Sequence, residues 1–190
     1  MNAQPTNEQA TSESVADRHR RLATAFQSTV DAAMPTDLPT PCEGWTIGDV
    51  IDHVTTTQQN FLTERGVDVS AEGTLASVSA AMQAALDDPA IAGATYDSYF
   101  GPTTIADTVN AFYCLDLVLH RWDIAAAAGL ADHTTISDTD IETCRDLMAP
   151  MGDNIRMPGI FGDEVNADPS SSATASFVAW AGRDPEFAKI

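Results

Sequence analysis

The sequence predicts an all-α protein, a four-helix bundle with long crossover connections and a short C-terminal helix. Three observations predict it. Apolar residues recur three and four apart through four long stretches, the spacing of one buried helix face. Several stretches open on Thr or Ser and close at Gly or Pro, the chemistry of helix ends. No segment alternates with the two-residue period of a strand.

The elements follow in order. Val15, Leu22, Ala25, Phe26, Thr29, Val30 and Ala33 form a stripe that predicts a first helix over 13–33, stopped by three prolines between Pro35 and Pro41. Thr46 is a good N-cap for the second helix, with Asp49 placed to complete a capping box and Trp45 to staple onto Val50. Ile47, Val50, Ile51, Val54, Phe61 and Leu62 form its core stripe, and His53 lies on the flank. A third helix is predicted over 74–87, then a loop over 88–102 in which Tyr96, Tyr99 and Phe100 line a pocket mouth or cover the core. The longest helix is predicted over 104–128, with Gly129 as its C-cap. A shorter one covers 137–149, an irregular crossing segment 150–172, and a last helix 173–181. Residues 1–12, rich in Gln, Asn, Thr and Ser, read as a disordered lead-in to a single domain over 13–190.

Charge and composition exclude several functions. The 28 acidic residues outweigh 9 basic ones, for a net charge of −19, which repels phosphate backbones and anionic lipid. Nucleic-acid and membrane partners are therefore not expected. No apolar run approaches the roughly 18 residues of a membrane span, and the N-terminus lacks the basic start and apolar block of a signal peptide. A cytoplasmic protein acting on a small-molecule substrate is the expectation, with a homodimer compatible with a bundle. Lys189 is the sole lysine, which argues against Schiff-base chemistry. Cys42, Cys114 and Cys144 form no C-x-x-C pair, so disulfide and zinc-ribbon scaffolds have no support. Cys114 reads as a packed thiol; Cys42, just before a helix, is either inert or lowered in pKa. His19 and His133 read as surface residues.

The chemistry concentrates around Asp116 and His120. Four residues apart in an apolar run, they lie almost over one another, because a helix advances about 100° per residue. Their face also carries Val109, Phe112 and Ile124, so it is a core face. A carboxylate there costs several kcal/mol unless it is paired, and a divalent cation shared with the imidazole would remove that cost. His53 is the candidate third ligand. Two imidazoles and one carboxylate suit Zn²⁺ best, with Ni²⁺ or Fe²⁺ as alternatives, and leave coordination positions open as catalytic sites do. The competing reading is a metal-free polar cluster. Asp123 either orients a ligand imidazole or pairs with an arginine, Trp122 packs between helices, and Arg121 and Arg156 are candidate anion binders for a carboxylate substrate.

Pro41-Cys-Glu-Gly-Trp-Thr-Ile-Gly-Asp-Val-Ile-Asp-His53-Val54 resembles the opening signature of the DinB-like metal-binding four-helix bundles, in the subgroup related to mycothiol-dependent maleylpyruvate isomerases. Asp116-Leu-Val-Leu-His120-Arg-Trp-Asp-Ile-Ala-Ala-Ala-Ala-Gly129 resembles its second signature, and Phe177-Val-Ala-Trp-Ala-Gly-Arg-Asp-Pro185 the tail of its shorter members. The resemblance runs over residues 15–187 and implies a divalent metal held by His53, Asp116 and His120. Asp116 stands where glutamate is usual, and no counterpart of the isomerases' additional C-terminal domain is expected. The leading expectation is a metal-dependent S-transferase or isomerase that uses a low-molecular-weight thiol on a small electrophile. The alternatives are a metal-dependent hydrolase and a non-catalytic metal-binding module.

Overall fold

The computed structural model describes residues 13–156, 160–168 and 170–187. The expected lead-in over 1–12 lies outside the described residues. Helix α1 (Val15–Ala32) is capped by Ser14, α2 (Ile47–Glu64) by Thr46 and α3 (Leu75–Asp87) by Thr74. At Thr46 the hydroxyl accepts from the Asp49 N–H, and the Asp49 carboxylate accepts from the Thr46 N–H, so two of the free donors of that helix end are satisfied at once. A single-turn helix α4 (Pro89–Ala92) follows. Then an antiparallel hairpin pairs β1 (Thr95–Ser98) with β2 (Gly101–Thr104), Thr95 opposite Thr104.

This hairpin stands where the sequence predicts a loop. Four-residue strands are too short for an alternating pattern to register, and Pro102 argues against a strand unless it lies on an edge. The long helix is also interrupted: α5 (Ile105–Thr108) passes through a π-turn at Val109–Tyr113 into α6 (Cys114–Ala127). Gly129 then takes φ 67°, and the Leu130 and Gly129 N–H groups donate to the Ala125 and Ala126 carbonyls, closing the helix as a Schellman turn. Helix α7 (Asp138–Met148), a 3₁₀ segment (Ala149–Arg156), an irregular crossing and α8 (Ala173–Trp180) complete the described chain.

Helices α1 and α2 each pack against both α3 and α6, which is a four-helix bundle; α7 and α8 pack together outside it. Phe26, Val50, Leu62, Met82, Leu119 and Ile124 are fully buried between the four. Trp122 is buried as expected, and so is the Cys114 thiol. Arg21 clamps α1 to α7 through paired hydrogen bonds to Asp140, and a second pair joins it to Glu13 just ahead of α1. His19 is not on the surface. It is fully buried, because α3 covers that face of α1 and Gln83 accepts or donates to its Nδ1 at 2.9 Å. His133 is half-buried, its Nδ1 2.9 Å from the Thr29 hydroxyl.

Candidate metal centre

The N-terminus of α2 and the middle of α6 face one cavity of about 800 Å³. The loop before α2 is stitched down by its backbone: Thr40 donates to the Trp45 carbonyl, Trp45 to Cys42 and Ile47 to Leu38. It brings Cys42 and Trp45 to the cavity wall. The Trp45 indole, read from the sequence as a staple on Val50, lies against the His53 ring at 4.9 Å and over the His120 ring at 6.2 Å.

His53, Asp116 and His120 converge at the cavity floor, each offering a ligand atom within 4.8 Å of the others. His53 Nε2 is 3.6 Å from Asp116 Oδ2, too long for a hydrogen bond between them. It matches the roughly 3.4 Å edge between two atoms each about 2.1 Å from one tetrahedral ion. The His120 ring is 95% buried and its Nδ1 is 2.9 Å from Asp123 Oδ2, which leaves Nε2 for the cavity. Asp116 faces the cavity with its side chain 33% exposed, so its carboxylate is less desolvated than its position on an apolar helix face suggests. The π-turn immediately before it contributes: one extra residue in the turn changes the phase of α6 relative to α5. Val109 stays in the core while Phe112, Tyr113 and Asp116 reach the cavity.

Behind His120 lies a buried ionic cluster. Asp123 is fully buried and accepts from Arg183 Nε and Nη2 at 3.3 and 3.2 Å and from the Cys42 thiol at 3.2 Å. Burial alone would raise the Asp123 pKa, but the Arg183 charge and the His120 hydrogen bond outweigh it and hold it at about 2. The two roles weighed for Asp123, orienting an imidazole and pairing with an arginine, are therefore held together in one carboxylate. Burial, reinforced by the Asp123 charge, pushes the Cys42 thiol up to about 12. The helix N-terminus that suggested a lowered value is outweighed, and the thiol acts as a donor.

Arg183 is the residue that sequence reasoning passed over. It sits inside the tail signature, and its place depends on Gly182, which ends α8 at φ 84° and lets the Arg183 N–H return to the Val178 carbonyl. A Cβ on Gly182 would lie 2.9 Å from the Gly162 backbone, so the close crossing of these two glycines sets the cavity's far wall.

Neither Arg121 nor Arg156 lines the cavity. Arg121, one residue past His120, is turned about 100° away and donates to the His133 and Thr135 carbonyls. Arg156 donates to the Gly162 carbonyl and lies 3.7 Å from Glu164, bracing the crossing segment from outside. Tyr96 packs on Phe61 and bonds the Thr108 hydroxyl, and Phe100 stacks on Phe112, which does line the cavity.

Residues 13–97 match the family model of the mycothiol maleylpyruvate isomerase N-terminal domain. The similarity covers less than half of the chain. The match contains Cys42, Trp45 and His53; Asp116, His120, Asp123 and Arg183 lie beyond it and meet the first three only in the folded chain. No curated protein and no solved structure gives a significant match to the chain.

Proposed function

We propose that the chain is a divalent-metal-dependent enzyme that joins a low-molecular-weight thiol to a small electrophile, as an S-transferase or as an isomerase acting by reversible thiol addition. The observation that carries this reading is the convergence of two imidazoles and one carboxylate on the floor of an open cavity. Those donors fit Zn²⁺ best, and Ni²⁺ or Fe²⁺ next. Three protein ligands leave room for a fourth from solution. A thiol in the family's name supports sulfur as that fourth ligand. When bound, the ion supplies positive charge that lowers a ligand thiol's pKa toward neutrality.

The chain's own residues supply orientation. Asp123 fixes the His120 tautomer with Nδ1–H toward itself and Nε2 toward the cavity. Arg183 keeps Asp123 ionised, so that contact persists at low pH. Trp45 screens one side of the imidazoles from water. Tyr113, next to the floor, has a pKa raised by burial and by Asp116, so it stays a neutral phenol; its O–H is directed at the Thr57 carbonyl, 3.5 Å away, and its oxygen is free to accept from a substrate donor. In addition to an activated double bond, the thiol loses its proton, sulfur bonds to one carbon, and the neighbouring carbon takes up a proton. Reversal after rotation about the new single bond gives isomerisation.

The test is a titration of mycothiol into cobalt-substituted protein. A sulfur-to-metal charge-transfer band saturating at one thiol per chain is the expected result. Turnover of esters without thiol, with no such band, would replace this reading with a hydrolase.

A further inference from the structure

The charge balance of the cavity bears on the second substrate, an inference that rests on the thiol chemistry proposed above. We infer that this site takes an electrophile that is neutral or amine-bearing, with an apolar arm, and turns away dicarboxylates. Arg183 is the sole cationic side chain lining the cavity among the described residues. It is committed: its guanidinium makes two bonds to Asp123, one to the Ala181 carbonyl and one to the Cys42 sulfur. Its charge is cancelled by a carboxylate with no exposure at all.

Three further carboxylates face the same space: Asp116 on the floor, and Glu43 and Asp163, both exposed. A divalent ion on the three ligands does not reverse the sign, since its two positive charges meet three negative ones. A first carboxylate arriving at the ion finds no cation for a second, and Glu43 and Asp163 repel it. A dianion also gives up part of its hydration on entering, without the paired N–H donors that a free arginine provides. Much of the remaining wall is apolar, formed by Trp45, Phe112, Leu115, Leu119, Ile160 and Phe161, and rewards a hydrophobic or planar substituent. Glu43 comes from the loop ahead of α2 and Asp163 from the crossing segment, so the two carboxylates reach the cavity from separate parts of the chain.

The test compares maleate with dimethyl maleate, which share a carbon skeleton and differ in charge. Both are titrated calorimetrically into the metal-loaded full chain at neutral pH. The ester is expected to bind about tenfold tighter, because Glu43 and Asp163 repel the dianion and not the uncharged ester. The gap is expected to shrink in about 0.5 M salt, as screening shortens the reach of the exposed carboxylates. In Glu43→Gln/Asp163→Asn, maleate is expected to gain about tenfold and the ester much less. Equal or tighter binding of maleate, binding of neither compound, or a gap unmoved by the double substitution would overturn the inference. The cobalt–thiol band is read on the same preparation. Its presence beside tight maleate binding sinks only the substrate class; its absence sinks the thiol reading itself.

Discussion

Asp123 shows how one buried side chain links sequence, electrostatics and chemistry. It lies three residues after His120, near enough on the same helix to reach the imidazole, and that spacing made it legible in the sequence. Its other partner was not legible, because Arg183 is separated from it by 60 residues and comes into range only through the turn at Gly182. Spacing rules speak to neighbours on one element and are silent about contacts between elements. Asp123→Asn keeps an acceptor for His120 but removes the charge that fixes its tautomer and balances Arg183. Metal affinity should fall by roughly 10–100-fold. Stability should fall by about 3–5 kcal/mol, because a guanidinium is left buried without its counter-ion. Competition with a chromophoric chelator reads the first, and urea unfolding the second.

Helix ends were the most readable elements, since Thr46 and Gly129 each perform a backbone task that few residues can. The π-turn was not readable. Val109–Tyr113 carries no residue that demands an extra unit, and the apolar pattern continues through it. Its carbonyls are supported from outside, with Arg18 donating to the Asn110 carbonyl and to its side-chain oxygen. Glycine turns offer a quantitative test at this scale. Gly129 and Gly182 both have positive φ, but only Gly182 has backbone where a Cβ would go. Gly129→Ala is expected to lose about 1–2 kcal/mol from backbone strain alone. Gly182→Ala should lose about 2–4 kcal/mol, because the Gly162 segment must also move. Equal losses in urea unfolding would show that the crossing is not tight.

Across the whole molecule, helical periodicity and punctuation gave the bundle, while burial of individual polar residues depended on how helices pair. His19 is the clearest case: nothing in its local sequence says that α3 covers it. Burial drives its pKa down, despite the Gln83 hydrogen bond, and its Nε2 has no partner. The unfolded chain therefore binds a proton that the native state refuses. This stabilising difference is complete above the unfolded value near 6.5 and is lost as pH falls toward the lower folded value. The metal-free protein should accordingly lose stability below about pH 6.5, and His19→Gln should flatten that part of the profile. Unfolding midpoints measured from pH 7.5 to 5 read the slope. Identical profiles for the two proteins would place the pH dependence elsewhere.

The central claim is that α2 and α6 together present three ligands to one ion, and metal stoichiometry tests it most directly. Metal-stripped protein, free of any histidine tag, is titrated with Co²⁺ alongside His53→Ala, Asp116→Ala and His120→Ala variants whose helical content is checked by circular dichroism. The account predicts one ion per native chain, with d–d absorption of a four- or five-coordinate site, and loss of tight binding in every folded variant. No binding by the native chain, or full binding by any variant that keeps its helices, would contradict it.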